Sequence, residues 1–129
     1  MGGTVKSGAV IFAKDVGAMA RFYESVVAMR VLAEEEGAVR LENDSIQLVI
    51  HALPKGIAKQ IEISVPPKVR EQAAVKPVFA VDSLDRVRSV ASSLGGGMNP
   101  ASSAFVWAGF RACDGHDPEG NQVQFREVA

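Results

Sequence analysis

The sequence holds a single cysteine, Cys113, among its 129 residues. No disulfide can close within one chain, which suits a reducing compartment and leads to the expectation of a cytoplasmic protein. Cys113 ends an apolar run, with no general base at a spacing that suggests nucleophilic work, so it reads as a small core residue. Histidine is also scarce: only His51 and His116 are present. Neither sign of charge is in excess, with 14 basic and 15 acidic residues giving a net charge of −1. The basic residues are scattered and not interleaved with aromatics, which argues against nucleic acid or an anionic membrane as a partner. No apolar run approaches the ~20 residues of a membrane span. Met1 to Asp15 lacks the basic segment, apolar core and cleavage site of a signal peptide, so none is expected. Paired carboxylates, a Ser-His-Asp set and a nucleotide fingerprint are missing. Gly95-Gly96-Gly97 follows a helical pattern instead of preceding one, so it is a stop and not a phosphate loop.

What remains is the composition of an ordinary globular protein, 47% hydrophobic and 22% charged. The length suits one domain, residues 1–129, with room for a core. Gly8 to Lys14 has strand length. Asp15 offers an N-cap, and Val16, Met19, Phe22, Tyr23, Val26 and Val27 recur at helical spacing. Strands are expected at Met29–Ala33, Ala38–Glu42 and Ser45–His51. Residues 53–75 form a connector with four prolines and glycines. Within it Ile61, Ile63 and Val65 alternate with Glu62 and Ser64, which predicts an extra strand ended by Pro66-Pro67.

The second part repeats the first. Pro77–Val81 reads as a strand, Asp82 or Ser83 as a cap, and Leu84, Val87, Val90 and Leu94 as a helical stripe. A shift of 68 residues lays Val16 on Leu84, Met19 on Val87 and Phe22 on Val90. A shift of 77 lays Ile46 on Val123, Gln47 on Gln124 and Leu48 on Phe125. The extra length is placed in a strand pair, Ala104–Cys113, and a long turn, Asp114–Asn121. Two copies of one supersecondary unit sharing a core are implied, about 6–52 and about 76–129.

The chain closes on Asp114-Gly115-His116-Asp117-Pro118-Glu119-Gly120-Asn121 and an alternating strand, Gln122 to Arg126. Pro118 fixes φ, Gly120 permits φ > 0, and Asp117 and Asn121 can bond back to their own backbone. Together with the two βαβββ units, this ending resembles the glyoxalase/bleomycin-resistance/dioxygenase group, the vicinal oxygen chelate superfamily. Asp15 to Tyr23 is similar to the group's first helix, which often carries a Phe-Tyr pair. The resemblance covers nearly the whole chain. It implies an α+β fold: two βαβββ units in tandem, forming a curled mixed sheet with a cup-shaped cavity.

In metal-dependent members four side chains point into the cup, and the resemblance puts these positions at Gly8, Gln47, Lys76 and Gln124. Glycine has no side chain, amides bind divalent ions weakly, and an ammonium would repel a dication. No metal and no cofactor are therefore expected, and Gly8 is expected to open space for a larger ligand. A displaced metal site from His51, His116 and Asp114 or Asp117 is conceivable, but His51 reads as a residue of the cup's rim and His116 as part of its turn.

Strand parity gives the expected lining. Val10 and Phe12 go with Gly8, Val49 and His51 with Gln47, Val78 with Lys76, and Gln122 and Arg126 with Gln124. Trp107 lies in the long strand pair, its facing open. The expected ligand-binding set is Gln47, His51, Lys76, Gln124, Phe12, Trp107 and Arg126, suited to a small, partly flat molecule with carbonyl or acidic groups. The glutamines could equally bond each other, and Lys76 could extend to solvent.

Two functions are carried forward. The first resembles the bleomycin-resistance branch: a metal-free binder of a small molecule, implied to use a groove between two subunits of a homodimer. The second is a glyoxalase-type lyase or a dioxygenase-type enzyme, using displaced ligands or a metal-free pair such as Lys76 with His51 or His116.

Overall fold

The computed structural model describes residues 5–129. Met1–Thr4, at the start of the stretch expected to carry no signal peptide, lie outside the described residues. The first half runs β1 (Gly8–Ala13), α1 (Val16–Val26), β2 (Arg30–Glu35), β3 (Ala38–Glu42) and β4 (Gln47–Ala52). A short helix, α2 (Lys55–Ala58), opens the connector. The second half runs β5 (Val78–Ala80), α3 (Leu84–Ser93), β6 (Gly97–Met98), a 3-10 turn (Ala101–Ser103), β7 (Phe105–Trp107), β8 (Phe110–His116) and β9 (Gln122–Val128).

Both long helices start where their sequences place a cap. Asp15 Oδ1 accepts from Ala18 N at 3.0 Å, and Ser83 Oγ accepts from Arg86 N at 3.1 Å. Each buries one stripe: Met19, Ala20, Phe22, Tyr23 and Val26 on α1, and Leu84, Val87 and Ala91 on α3. The helix α3 stops at Gly95, whose φ of +89° costs a glycine nothing.

The strand order is β1-β4-β3-β2 in one sheet and β5-β9-β8-β6 in the other, with β7 also on β8. β1 is parallel to β4, and β5 to β9, because a helix crosses over between them; the other pairs are antiparallel. The result is two curled, unclosed α+β sheets, each backed by its own helix. Between β6 and β7 the 3-10 turn interrupts the edge that β2 forms without a break in the first half. The buried Cys113 thiol lies beneath that turn, 3.5 Å from the Asn99 carbonyl.

The halves meet through α1, α3 and the turn before β9. Tyr23 packs against Phe79 with ring centroids 5.4 Å apart and donates its hydroxyl to Asp117 Oδ2 at 2.7 Å. Asp117 also accepts from Asn121 Nδ2 (2.8 Å), Glu119 N (2.9 Å) and Asn121 N (3.0 Å). Glu119 reaches back to the first half and takes the backbone N–H of Lys14 (2.9 Å) and Asp15 (2.7 Å). Arg86 of α3 donates to the Ser25 and Val26 carbonyls at the end of α1.

Three sequence expectations change. Ile61–Val65 is not a strand: alternation supplies a face, but a strand also needs a neighbouring edge, and none pairs with this stretch among the described residues. Asp114, Gly115 and His116 belong to β8 and pair with Gln124, Val123 and Gln122, so the turn is only Asp117–Asn121. A short Asp-Gly-His segment looks like a turn by composition, but the ladder with β9 overrides that local preference. Third, Gly8 pairs with Gln47 while Val78, not Lys76, pairs with Gln124. The second unit is two residues shorter between its first strand and its helix, so the 68-residue shift that fits the helices does not fit these strands. Two residues preserve parity, so Lys76 keeps its facing.

Candidate functional site

The helices cover one face of each sheet and leave the other open. On the first sheet the open face carries Gly8, Val10 and Phe12 of β1, Gln47, Val49 and His51 of β4, and Arg40 and Glu42 of β3. Phe12 and His51 sit side by side with edge-to-face rings, centroids 5.7 Å apart. His51 Nδ1 is 2.8 Å from the Ala52 carbonyl, and the residue is exposed.

Gly8 does not open space. A Cβ there would lie 2.0 Å from the backbone oxygen of Gln47, so glycine is required for β1 to approach β4. The expectation of a hollow at this position is overturned by that contact.

Gln47 is held, not free. Its Nε2 donates to Glu42 Oε1 at 3.0 Å, and the same oxygen is 3.4 Å from Lys6 Nζ, while Arg30 pairs with the other oxygen. The Gln47 amide hydrogen bond is the largest influence on the Glu42 carboxyl, and together with the Lys6 and Arg30 charges it outweighs burial and holds the group below its ordinary value.

The second sheet repeats the arrangement. Gln124 Nε2 donates to Asp114 Oδ1 at 3.0 Å, and Lys76 Nζ pairs with Asp114 Oδ2 at 2.7 Å. Burial pulls the Asp114 carboxyl up, but the bonds from Lys76 and Gln124 and the Lys76 charge outweigh it and leave it below its usual value. Each half therefore carries a lysine, a carboxylate and a glutamine at matching places: Lys6, Glu42 and Gln47, then Lys76, Asp114 and Gln124. Sequence reading missed Glu42 altogether and placed Asp114 in a turn. A signal was available: Lys6 lies 70 residues before Lys76, and Glu42 lies 72 before Asp114.

From Gln124 the network continues along the sheet. Its Oε1 accepts from Arg126 Nε at 2.7 Å, and the Arg126 guanidinium lies 4.2 Å over the centre of the Phe110 ring. Trp107 meets that ring edge-on at 5.6 Å. The facing of Trp107 is thus resolved: it shares the open face with Phe110, Arg126, Gln124 and Lys76. Of the seven expected site residues, four gather here, while Gln47, Phe12 and His51 gather on the first sheet. Phe12 also borders a cleft of about 280 Å³ with Val10, Tyr23, Pro77 and Gln122, where residues of both halves meet.

Large apolar side chains lie uncovered on these strands. Val10 is 56% exposed, Phe12 55%, Val106 60% and Trp107 64%. His116, at the far end of β8, has its ring pKa lowered by burial, with Asp117 pulling the other way. No hydrogen bond joins His51 or His116 to Lys76 among the described residues.

No protein-family model matches the sequence, and no curated protein is significantly similar to it. Solved structures do match. A glyoxalase/bleomycin resistance protein/dioxygenase family enzyme from Burkholderia phytofirmans superposes with a TM-score of 0.69 at 20% identity, over 95% of this chain and 98% of that one. The fosfomycin resistance protein FosX from Mesorhizobium loti gives 0.64 at 16%, over 100% and 94%. A bleomycin resistance determinant encoded on transposon Tn5 gives 0.59 at 16%, over 97% and 98%. The chain has the glyoxalase/bleomycin resistance/dioxygenase fold.

The four positions at which the resemblance puts metal ligands carry few donors. Gly8 has no side chain, the amide nitrogens of Gln47 and Gln124 donate to carboxylates, the Gln124 amide oxygen is taken by Arg126, and Lys76 presents a cation. Among the described residues no three His, Cys, Asp or Glu side chains come together to hold an ion. No helix of the described residues is long and apolar enough to cross a membrane.

Proposed function

We propose that this chain, one domain of two units (about 6–52 and 76–129) joined by a connector (53–75), is a metal-free binder of a small organic molecule. The observation that carries the reading is the duplicated Lys–carboxylate–Gln set. At the places where the fold can present metal ligands, each glutamine donates its amide N–H to a carboxylate already paired with lysine, so these positions offer a dication neutral amides and a cation instead of free carboxylate or imidazole ligands. The molecule rests on the open faces, against Phe12, His51 and Gln47 on one and Trp107, Arg126, Gln124 and Lys76 on the other.

A homodimer completes the cup. Isolated exposed apolar residues are ordinary, but Val10, Phe12 and Trp107 lie together on the open faces that no helix covers, which supports a second copy closing over them. The single buried thiol supports a cytoplasmic setting. Relatives in shape include resistance proteins for fosfomycin and bleomycin, which makes aromatic and heteroatom-rich antibiotics a sensible first ligand panel.

Elemental analysis of protein purified without chelator tests the reading, together with melting scans with and without divalent ions. Substoichiometric metal and an unchanged melting temperature are expected. One equivalent of metal, or a rise of several degrees with one ion, overturns it and restores a lyase or dioxygenase reading. A thermal-shift screen of antibiotics and small carbonyl compounds, with sedimentation of the hit complex, tests binding and dimerisation.

A further inference from the structure

The charges on the open face of the second sheet do not cancel. Lys76 and Asp114 neutralise each other at 2.7 Å, and Gln124 fills the remaining Asp114 oxygen. Arg126 is left over. Its Nε is fixed by Gln124 at 2.7 Å and its plane lies on Phe110 at 4.2 Å. No hydrogen bond or ion pair engages its two terminal amino groups among the described residues. The neighbouring β5 and β7 bring no charge to this face; they contribute Val78, Phe105 and Trp107.

A guanidinium held at Nε and on one face has lost most of its freedom before any ligand arrives, and its remaining donors form a fork of the spacing that a carboxylate accepts. Trp107 and Phe105, both exposed, stand on β7, across β8 from it and on the same face. We propose that Arg126 is an anion-recognition residue and that the ligand class is a flat aromatic acid, its carboxylate on the Arg126 fork and its ring against Trp107. This rests on the reading of the chain as a small-molecule binder and narrows it to one charge and one shape.

The sole tryptophan of the chain is Trp107, so its fluorescence reports on this site alone. The probes are 4-nitrobenzoate, a quenching aromatic acid, and 4-nitrobenzamide, its neutral counterpart. Saturable quenching by the acid is expected, with the amide about tenfold weaker or worse. Arg126→Gln removes the acid's advantage over the amide, while Arg126→Lys restores part of it; far-UV circular dichroism confirms that each variant is folded. The amide binding as tightly as the acid, or Arg126→Gln leaving acid affinity intact, overturns the anion site while the binding reading stands. Quenching that is linear and unsaturable for both probes removes the binding reading and this inference with it.

Discussion

Replacing Tyr23 with phenylalanine removes one hydroxyl from the seam between the two halves, and the structure gives a size for the loss. The hydroxyl donates at 2.7 Å to Asp117, a carboxylate with no exposed surface that accepts three other hydrogen bonds. A buried hydrogen bond to such a group contributes about 2 kcal/mol net. With unfolding entropy near 2.1 cal/mol/K per residue over 129 residues, the melting temperature should fall by about 7 °C. Asp117→Ala strands four donors and should cost more, about 3–5 kcal/mol. The two changes share one bond, so the double variant should be less unstable than the sum by about 1.5–3 kcal/mol. Urea or thermal unfolding of the four proteins measures this, with Asp117→Asn replacing the alanine variant should the latter not fold. Full additivity, or a Tyr23→Phe loss below about 0.5 kcal/mol, would refute the claim that this turn fastens the halves together. The pH dependence is a second check. Burial raises the folded Asp117 carboxyl above its unfolded value of 3.8 against the pull of its hydrogen bonds. Its contribution is therefore complete below 3.8 and lost as pH rises through the higher folded value. The stability gap between the native protein and Asp117→Asn should narrow over that interval.

Asp114 behaves in the opposite sense. Its folded carboxyl is lowered, so its contribution is present above 3.8 and lost as pH falls through the folded value. Lys76→Met should cost under about 1 kcal/mol at neutral pH, since the pair is partly exposed, and should flatten the acid limb of a stability–pH profile. Glu119→Gln replaces a carboxylate that accepts two backbone N–H groups at the start of α1, and should cost about 1–3 kcal/mol in urea unfolding. Gly96→Ala would set a Cβ 2.4 Å from the Phe22 ring and 2.6 Å from the His116 carbonyl, and should lower stability by about 1–3 kcal/mol in the same assay.

The helices were legible because their signals are local: Asp15 and Ser83 as caps, a stripe at spacings of three and four, and a glycine stop. The repeat was legible for a related reason, since two copies of one pattern betray each other even when neither is decisive. Partnership was not legible. Ile61 to Val65 alternates as well as many strands do, yet no edge comes to meet it. Asp114 to His116 reads as a turn until β9 lies alongside. The expected inward residues were found by parity, but parity could not show that Glu42 and Asp114 hold the glutamines, because cross-strand neighbours are distant in sequence. The open side of Gly8 was likewise misjudged: a missing side chain can mean room, or it can mean that another backbone is already there.

That last distinction bears on whether this chain could be converted to a metalloprotein. Installing histidine at residue 8 would drive its first carbon into the neighbouring strand, so a metal site at Gly8, Gln47, Lys76 and Gln124 could not be built by exchanging four side chains one at a time. The two strands would first have to part, and whatever widened them would have to come from elsewhere in the sheet.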